Sequence, residues 1–549
     1  MSICSVVVAL AMAALALQLQ LPASSAAPLI GRSSSSTASG TRASSSGSRT
    51  NASSVASSAA ASWPTFGGST SHTRYAATDA VRGCTAPDAP RTIEFSSSDG
   101  SPSHNFYNSA PVTDAAGNVY IVQGMINYDD GVYCSLYKID LATLTNTSVT
   151  LDKSQFKYCI AVTVDDANGV VFVQAAYNRP TAGNQGVVSN GIAAFDIATL
   201  APRWYWRSGD FQQANSPIRD HFVPVNSVGG PLVVGGTVFL VSANRGYEHA
   251  DPAPHACFLT AFDVHTGLML ADNGDKKGGP RACGGATRGP TDGKHAASSA
   301  TIHWGFWTAD SDAIAAQTYT PPPAVPQADT NGDPKKNCDG PKKTSVACPG
   351  QLAPLWQSNV TTNTHDLGSA VLPTYLSEFG LTLLTTTFSS DSGSQTQFRV
   401  AGVKAGGKSA FPEMTLNLAG KLPVGVPFDG KHFFLAHLKS KTSNISVTAF
   451  DADGSPQRHY VTREKKSTGV AVTSFQVQSM LVTRKLLVVA LGAYSGSSLV
   501  YVFDKDLGSV LQTFPLREGY TRPRLSFSHD QLIVQCSDGG PILDLYPFA

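Results

Sequence analysis

Charge is scarce in this chain. Only 14% of its 549 residues are Asp, Glu, Lys or Arg, and the formal net charge is +1, which leaves no field to draw in a nucleic-acid backbone. Long apolar runs are missing after residue 21, so no later segment is long enough to span a bilayer as a helix. No two cysteines are adjacent and none are spaced as CxxC, which argues against a zinc ribbon or a thioredoxin-like redox pair. An HExxH helix, a GxSxG nucleophile elbow and a GxGxxG dinucleotide turn are absent too, removing the most readable enzyme signatures.

What is present points to strands. Gly is frequent at 49 and Pro at 33, beside an apolar share of 42%, the profile of many short strands joined by turns around a sizeable core. Residues 6–21 form an apolar run followed by small residues at 23–27, so residues 1–27 are expected to be a secretory signal peptide cut between Ala23 and Ala27. The run lacks a basic flank, which keeps an uncleaved anchor as the alternative. Residues 28–62 are Ser/Ala-rich with almost no large apolar side chains and are expected to be a disordered linker. Loss of Cys4 with the signal leaves Cys84, Cys134, Cys159, Cys257, Cys283, Cys338, Cys348 and Cys536, an even set that predicts four disulfides. Sequons at Asn51, Asn146, Asn359 and Asn444 suit N-glycosylation on the same secretory route. The expected location is secreted, either extracellular or at the cell surface.

A repeat organises the chain from residue 63 to 549. Its fullest copy is Leu259-Thr-Ala-Phe-Asp-Val-His-Thr-Gly267, with others at Leu136–Asp140, Ile192–Asp196, Val447–Asp451 and Val500–Asp504. Each is an alternating strand ending in an Asp whose carboxylate can hydrogen-bond the turn that follows. A second marker, a turn followed by an apolar strand, recurs at Gly117, Asn168, Gly235, Asp429, Thr483 and His529. The closing Asp positions step by 56, 67, 188 and 53 residues. The long step has room for two degenerate copies, with weaker strand starts near Ile302 and Phe379. The fold expected is an all-β propeller of eight blades, with seven as the alternative. The last copy is too short to supply four strands, so the strand at Arg91–Phe95 is expected to join it and close the ring. Cys84 and Cys536 flank that closure and are expected to bridge. Pairs 134–159, 257–283 and 338–348 are expected by proximity.

The segment Trp63-Pro-Thr-Phe-Gly-Gly-Ser-Thr-Ser-His-Thr-Arg-Tyr-Ala-Ala-Thr-Asp-Ala-Val81 resembles the opening segment of the pyrroloquinoline-quinone (PQQ) dehydrogenase-like, or quinoprotein alcohol dehydrogenase-like, propellers. The matching positions are Trp63, Phe66, Gly67, Gly68, Arg74, Tyr75 and Ala76, and the strand endings match that family's Asp-x-x-Thr-Gly closure. The resemblance implies a segment that leads into the first blade and packs across the barrel. It also implies PQQ on the propeller axis over a Trp, a calcium ion held by Glu, Asn and Asp, and an Asp base. The vicinal disulfide of many alcohol-oxidising members has no counterpart here, and no position matches the calcium ligands or the base.

Several other residues carry candidate chemistry. Gly402-Val-Lys-Ala-Gly-Gly-Lys-Ser409 fits the Walker A letters, but Phe411-Pro412 follow at once, so a Gly-rich hairpin turn is expected instead of a phosphate cradle. His249, Asp251 and His255 form a candidate metal cluster, and Asp329-Thr-Asn-Gly-Asp333 has EF-hand-like oxygen spacing without the closing Glu. His303-Trp-Gly-Phe-Trp307 with Asp310 and Asp312 offers Trp304, Trp307 and Asp310 as candidate cofactor-binding residues, against the plainer reading of aromatics packed between blades. Residues 273–354 read as an irregular insertion. The function expected is a monomeric binding or interaction module for an extracellular protein or glycan at the channel mouth, without a cofactor; the alternative is a PQQ- and calcium-dependent oxidoreductase.

Overall fold

The computed structural model describes residues 75–76, 83–85, 89–94, 105–127, 131–151, 156, 158–179, 187–207, 230–244, 256–272, 282–290, 299–307, 312–322, 350–359, 372–389, 396–418, 426–438, 445–462, 475–493, 497–518, 520, 522–536 and 542–548. The chain divides into two units. Residues 1–59 and 180–186, which include the expected signal peptide, lie outside the described residues.

The other unit is an eight-bladed β-propeller. In chain order the second strands of the blades are Asn118–Asn127, Val170–Arg179, Thr237–Asn244, Ala300–Trp307, Leu381–Ser389, Phe433–Leu438, Leu486–Ala493 and Gln531–Cys536. Each belongs to its own antiparallel meander, and the strand before it lies innermost. Among the described residues the sixth blade has three strands, and Phe428 bridges Phe433 on the inner side of the first of them.

The blades stack because both faces of their strands are apolar. Along Asn118–Asn127, Val119 and Ile121 pack with Ile533 and Leu545 of the last blade, while Tyr120 and Val122 pack with Val171 and Val173 of the second. In Leu486–Ala493 the odd and even positions divide likewise between the sixth and eighth blades. Period-two alternation thus serves two interfaces, which is why these strands are apolar throughout.

The closing aspartates are turn-makers, as their spacing predicts. Asp263 Oδ1 accepts from the backbone N–H groups of His265 and Thr266 and from the Thr266 hydroxyl, and Asp140 and Asp196 repeat the pattern. These bonds hold the Asp140 carboxyl below the usual range, its largest cause being the Thr143 N–H. The residue after the Asp reaches the preceding blade. Leu141 packs with Ile533 and Leu545, Val264 packs with Phe172, and Lys505 forms an ion pair with Asp429 at 2.9 Å.

The ring closes where expected: Arg91–Glu94 pairs with Ile542–Pro547 as the outermost strand of the eighth blade. Thr92 donates to Asp544 at 2.7 Å, and Arg517 of the seventh blade donates to Thr92 at 2.7 Å. Tyr75–Ala76 pairs in parallel with the inner strand Phe475–Thr483, on the channel edge of the seventh blade, and Cys84 lies at that blade's rim against Gln512.

Two expectations are corrected. Residues 273–354 are not an insertion but most of the fourth blade, built from Ala282–Arg288, Ala300–Trp307, Asp312–Thr320 and Gln351–Asn359. The Cys84–Cys536 bridge is not formed: Cys84 is a free, buried thiol. The register explains why. Cys84 bridges Phe548, whereas Gln535 pairs with Leu543. Cys84 and Cys536 therefore stand at opposite ends of the blade, roughly 20 Å apart at 3.4 Å per residue, far beyond the span of about 7 Å a disulfide allows. The Cys134–Cys159 bridge is present and staples the first blade to the second.

Candidate functional site

The strand order gives the ring two unlike ends. At one end lie the turns from first to second strand and from third to fourth, most of them short, such as Gly235-Gly236, Arg484-Lys485, His529-Asp530 and 141–145. At the other end the strands are joined through long connections, including 208–229, 245–255, 360–371 and 463–474. The fourth blade is the exception, with 289–299 and 321–350 at the tight-turn end.

The described inner strands use their hydroxyls to hold one another. Thr113 donates to the Phe527 carbonyl at 3.2 Å and Thr163 to the Pro231 carbonyl at 2.8 Å. Thr374 accepts from the Val426 N–H and Ser479 from the Leu525 N–H. Each bond crosses from one blade to its neighbour, so these groups serve the ring itself.

The candidate aromatics are in the interblade core. Trp304 is buried with Phe239, Leu270, Ala286 and Tyr319 between the third and fourth blades. His303, on the strand's other face, enters the fourth–fifth junction, where its ring meets Trp356 and Tyr375 at 5.1 and 5.9 Å. Its Nδ1 is 2.6 Å from the Thr382 hydroxyl and its Nε2 has no hydrogen-bond partner. Burial pushes the imidazole down to about 4, so it is neutral at ordinary pH. Trp204 and Trp206 lie on the outermost strand of the second blade and pack toward Phe262 of the third. None of these described tryptophans is a stacking platform on the axis. The side chains of Trp307 and Asp312, and all of Asp310, lie outside the described residues, as do His249, Asp251, His255 and the Asp329 loop.

Among the described residues, no group of three or more His, Cys, Asp or Glu is placed to hold a metal ion. Three carboxylates, Asp114, Asp165 and Asp166, gather at the first two tight turns. Asp114 accepts from Asn118 and from the Tyr120 hydroxyl, and both oxygens of Asp166 accept from the Ala115 N–H. Burial, then the Asp114 and Asp165 charges, push Asp166 upward against that N–H. The described residues thus do not fit a PQQ–calcium site.

The Walker-like letters form a hairpin between Thr396–Lys404 and Ser409–Leu418. Lys404 and Lys408 close its turn through a 2.8 Å bond, and Gly402 is required because a Cβ there would stand 2.3 Å from the Phe411 ring. Cys134 and Cys159 are bonded, the side chains of Cys257, Cys283 and Cys536 lie outside the described residues, and so do Cys338 and Cys348. Of the sequon asparagines, Asn146 and Asn359 are exposed on outermost strands, while Asn51 and Asn444 lie outside the described residues. Sequence reasoning missed Gln512, Arg517 and Lys505 as interblade clamps. Only Lys505 left a signal, as a charge in a position that is apolar in its counterparts.

Among solved structures, the chain is similar to quinohemoprotein alcohol dehydrogenase from Comamonas testosteroni, at 12% identity and a TM-score of 0.50, over 88% of this chain and 80% of that one. It also matches the β-propeller domain of the Trilobed protease from Pyrococcus furiosus, at 8% identity and a TM-score of 0.29, over 74% of this chain and 98% of that one. No family model and no curated protein matches the chain. The first likeness supports the propeller fold and nothing finer, since one fold hosts many activities.

Proposed function

We propose that this chain is a secreted or cell-surface binding module that engages a protein or glycan at the channel mouth formed by the long connections. The observation that carries the reading is the inequality of the two ends. A ring held rigid by interblade bonds carries more of its connecting residues at this end, the fourth blade's 289–299 and 321–350 excepted, and ligand-binding surfaces on rigid scaffolds are built from such connections. At the other end Tyr75–Ala76 lies along the inner edge of the seventh blade, which favours access from the long-connection end. The inner-strand hydroxyls of Thr113, Thr163, Thr374 and Ser479 are engaged between blades, leaving ligand contact to the connections.

Two measurements test this. Replacing residues 208–229 by a Gly/Ser linker should abolish binding to an array of neutral glycans and extracellular proteins while leaving the melting temperature unchanged. The purified protein supplied with PQQ and Ca²⁺ should not reduce an artificial electron acceptor with alcohols or sugars. Turnover in that assay would replace the binding reading with a quinoprotein oxidoreductase.

A further inference from the structure

The outermost strand of each blade ends its sheet, and the main-chain groups along such an edge are a template for another chain unless something blunts them. Seven of the eight blades carry a blunting device in that strand or against it. Proline opens the outermost strand of the second and sixth blades, at Pro202 and Pro456, and interrupts that of the fourth, fifth and seventh, at Pro354, Pro412 and Pro515. Each removes a main-chain donor and cannot extend a ladder. The third blade's strand, Met269–Asp272, is covered where the Gly350 N–H donates to the Leu270 carbonyl at 2.9 Å. The eighth blade's, Arg91–Glu94, is four residues long with a charge at each end.

The first blade differs. Its outermost strand, Asn146–Thr150, reads Asn-Thr-Ser-Val-Thr, with no proline, no charge and β-branched residues at three of its five positions. All of it but Val149 is exposed, and among the described residues no strand pairs with its outer edge. The next charges along the chain, Asp152 and Lys153, lie outside the described residues. What the strand holds instead is the sequon Asn146-Thr147-Ser148. Residues i and i+2 of a strand share a face, so Asn146 and Ser148 stand on one side of it, both open to solvent.

We propose that an N-linked glycan on Asn146 guards the edge of the first blade, in the place that proline, charge or a covering segment takes on the other seven. In the transfer the Asn146 amide nitrogen bonds to C1 of an oligosaccharide carried on a polyprenyl pyrophosphate. The bond from C1 to the pyrophosphate oxygen breaks, the lipid pyrophosphate leaves, and the amide gives up one proton. The attached chain is bulky and solubilising, and from the start of the strand it keeps a second polypeptide off the open main-chain groups beside it. The guard shares the expected secretory route with the channel-mouth reading but not its location. Asn146 follows the 141–145 turn, at the tight-turn end.

The test uses the full chain secreted from a eukaryotic host. Glycosidase release in heavy-oxygen water, followed by peptide mapping, should find Asn146 converted to labelled Asp; an unmodified Asn146 would end the proposal. Ser148→Ala destroys the sequon with a small side chain. It should keep the melting temperature yet pass from monomer to dimers and larger species on size-exclusion chromatography at micromolar concentration, where unpaired edges associate. Ser148→Lys destroys the sequon equally but puts a charge on the edge, and should stay monomeric. Asn359→Gln removes the sequon of a strand that already holds Pro354, and should stay monomeric too. Monomeric Ser148→Ala, or association of Ser148→Lys or Asn359→Gln to the same extent, would overturn the proposal. Asn146→Gln makes the same comparison if Ser148→Ala does not fold.

Discussion

Gln512 holds the main chain of Cys84 from both sides: its Oε1 accepts the Cys84 N–H at 2.9 Å and its Nε2 donates to the Cys84 carbonyl at 3.0 Å. A side-chain amide here does what a neighbouring strand would do for the peptide groups of an incoming segment. Gly83, at φ +91°, lets that segment pass, since a Cβ there would stand 2.7 Å from the same oxygen. Substituting Gln512→Leu leaves two main-chain groups of Cys84 without their partner and should cost about 1–3 kcal/mol. Urea unfolding reads it directly; an unchanged midpoint would show the clamp to be idle. Burial pushes the Cys84 thiol up to about 12, so iodoacetamide at pH 8 should label it only in the unfolded protein.

Asp429 and Lys505 form the seam between the sixth and seventh blades, the Asp side chain being only 2% exposed. Burial alone would raise the Asp429 carboxyl, but the Lys505 ammonium and the N–H groups of His432 and Lys431 outweigh it and hold the group low. Lys505→Met strands the carboxylate and should cost about 3 kcal/mol or more at pH 7, with the double variant Asp429→Leu/Lys505→Met recovering most of it. The folded pKa is the lower one, so the pair's contribution is present above the unfolded carboxyl pKa of about 4 and is lost as pH falls through the folded value. Thermal melts of the single and double variants between pH 7 and 3 check both statements.

His303 behaves in the opposite sense to a partnered histidine. Its folded pKa is about 4 against an ordinary 6.5, so the unfolded chain takes up the proton first. The penalty is absent above pH 6.5, grows as pH falls, and levels off near pH 4 at about 3 kcal/mol. His303→Gln should flatten that part of the stability–pH curve. A parallel curve for the variant would mean that the imidazole is hydrated.

Cys257 and Cys283 occupy backbone positions that repeat those of the observed bridge. Cys134 and Cys257 each stand six residues before a closing Asp, on third strands of the first and third blades. Cys159 and Cys283 are each the second residue of the next blade's inner strand, just before a register shift. Non-reducing peptide mapping should recover a 257–283 linked pair beside 134–159. Both cysteines alkylated without reduction would refute the equivalence.

The sequence carried the blade count because most blades keep the same turn chemistry, and Asp140, Asp196, Asp263, Asp451 and Asp504 serve as its markers. The fourth blade left only the weak strand start near Ile302, because its third strand, Asp312–Thr320, ends in Thr-Pro-Pro instead of the Asp turn. The Cys84–Cys536 expectation failed because pairing two strands does not say which end of each faces the other; only the register does that. Trp304 was open to both readings, platform and packed aromatic, because alternation cannot tell a blade interface from a channel wall; the structure places it in the interface. The clamps at Gln512 and Arg517 were illegible, since their partners Cys84 and Thr92 lie more than 400 residues away.

The bond from Thr92 to Asp544 spans 452 positions, and this sets an order of events during synthesis. At about 5–20 residues per second, Arg91–Glu94 waits on the order of half a minute or longer before its partner strand exists. Until then both its edges are unmatched, and the nascent ring stays an open arc whose two free margins are templates for other chains. Any stop before Ile542 makes that interval permanent, so late truncations should appear as aggregates and not as shorter propellers.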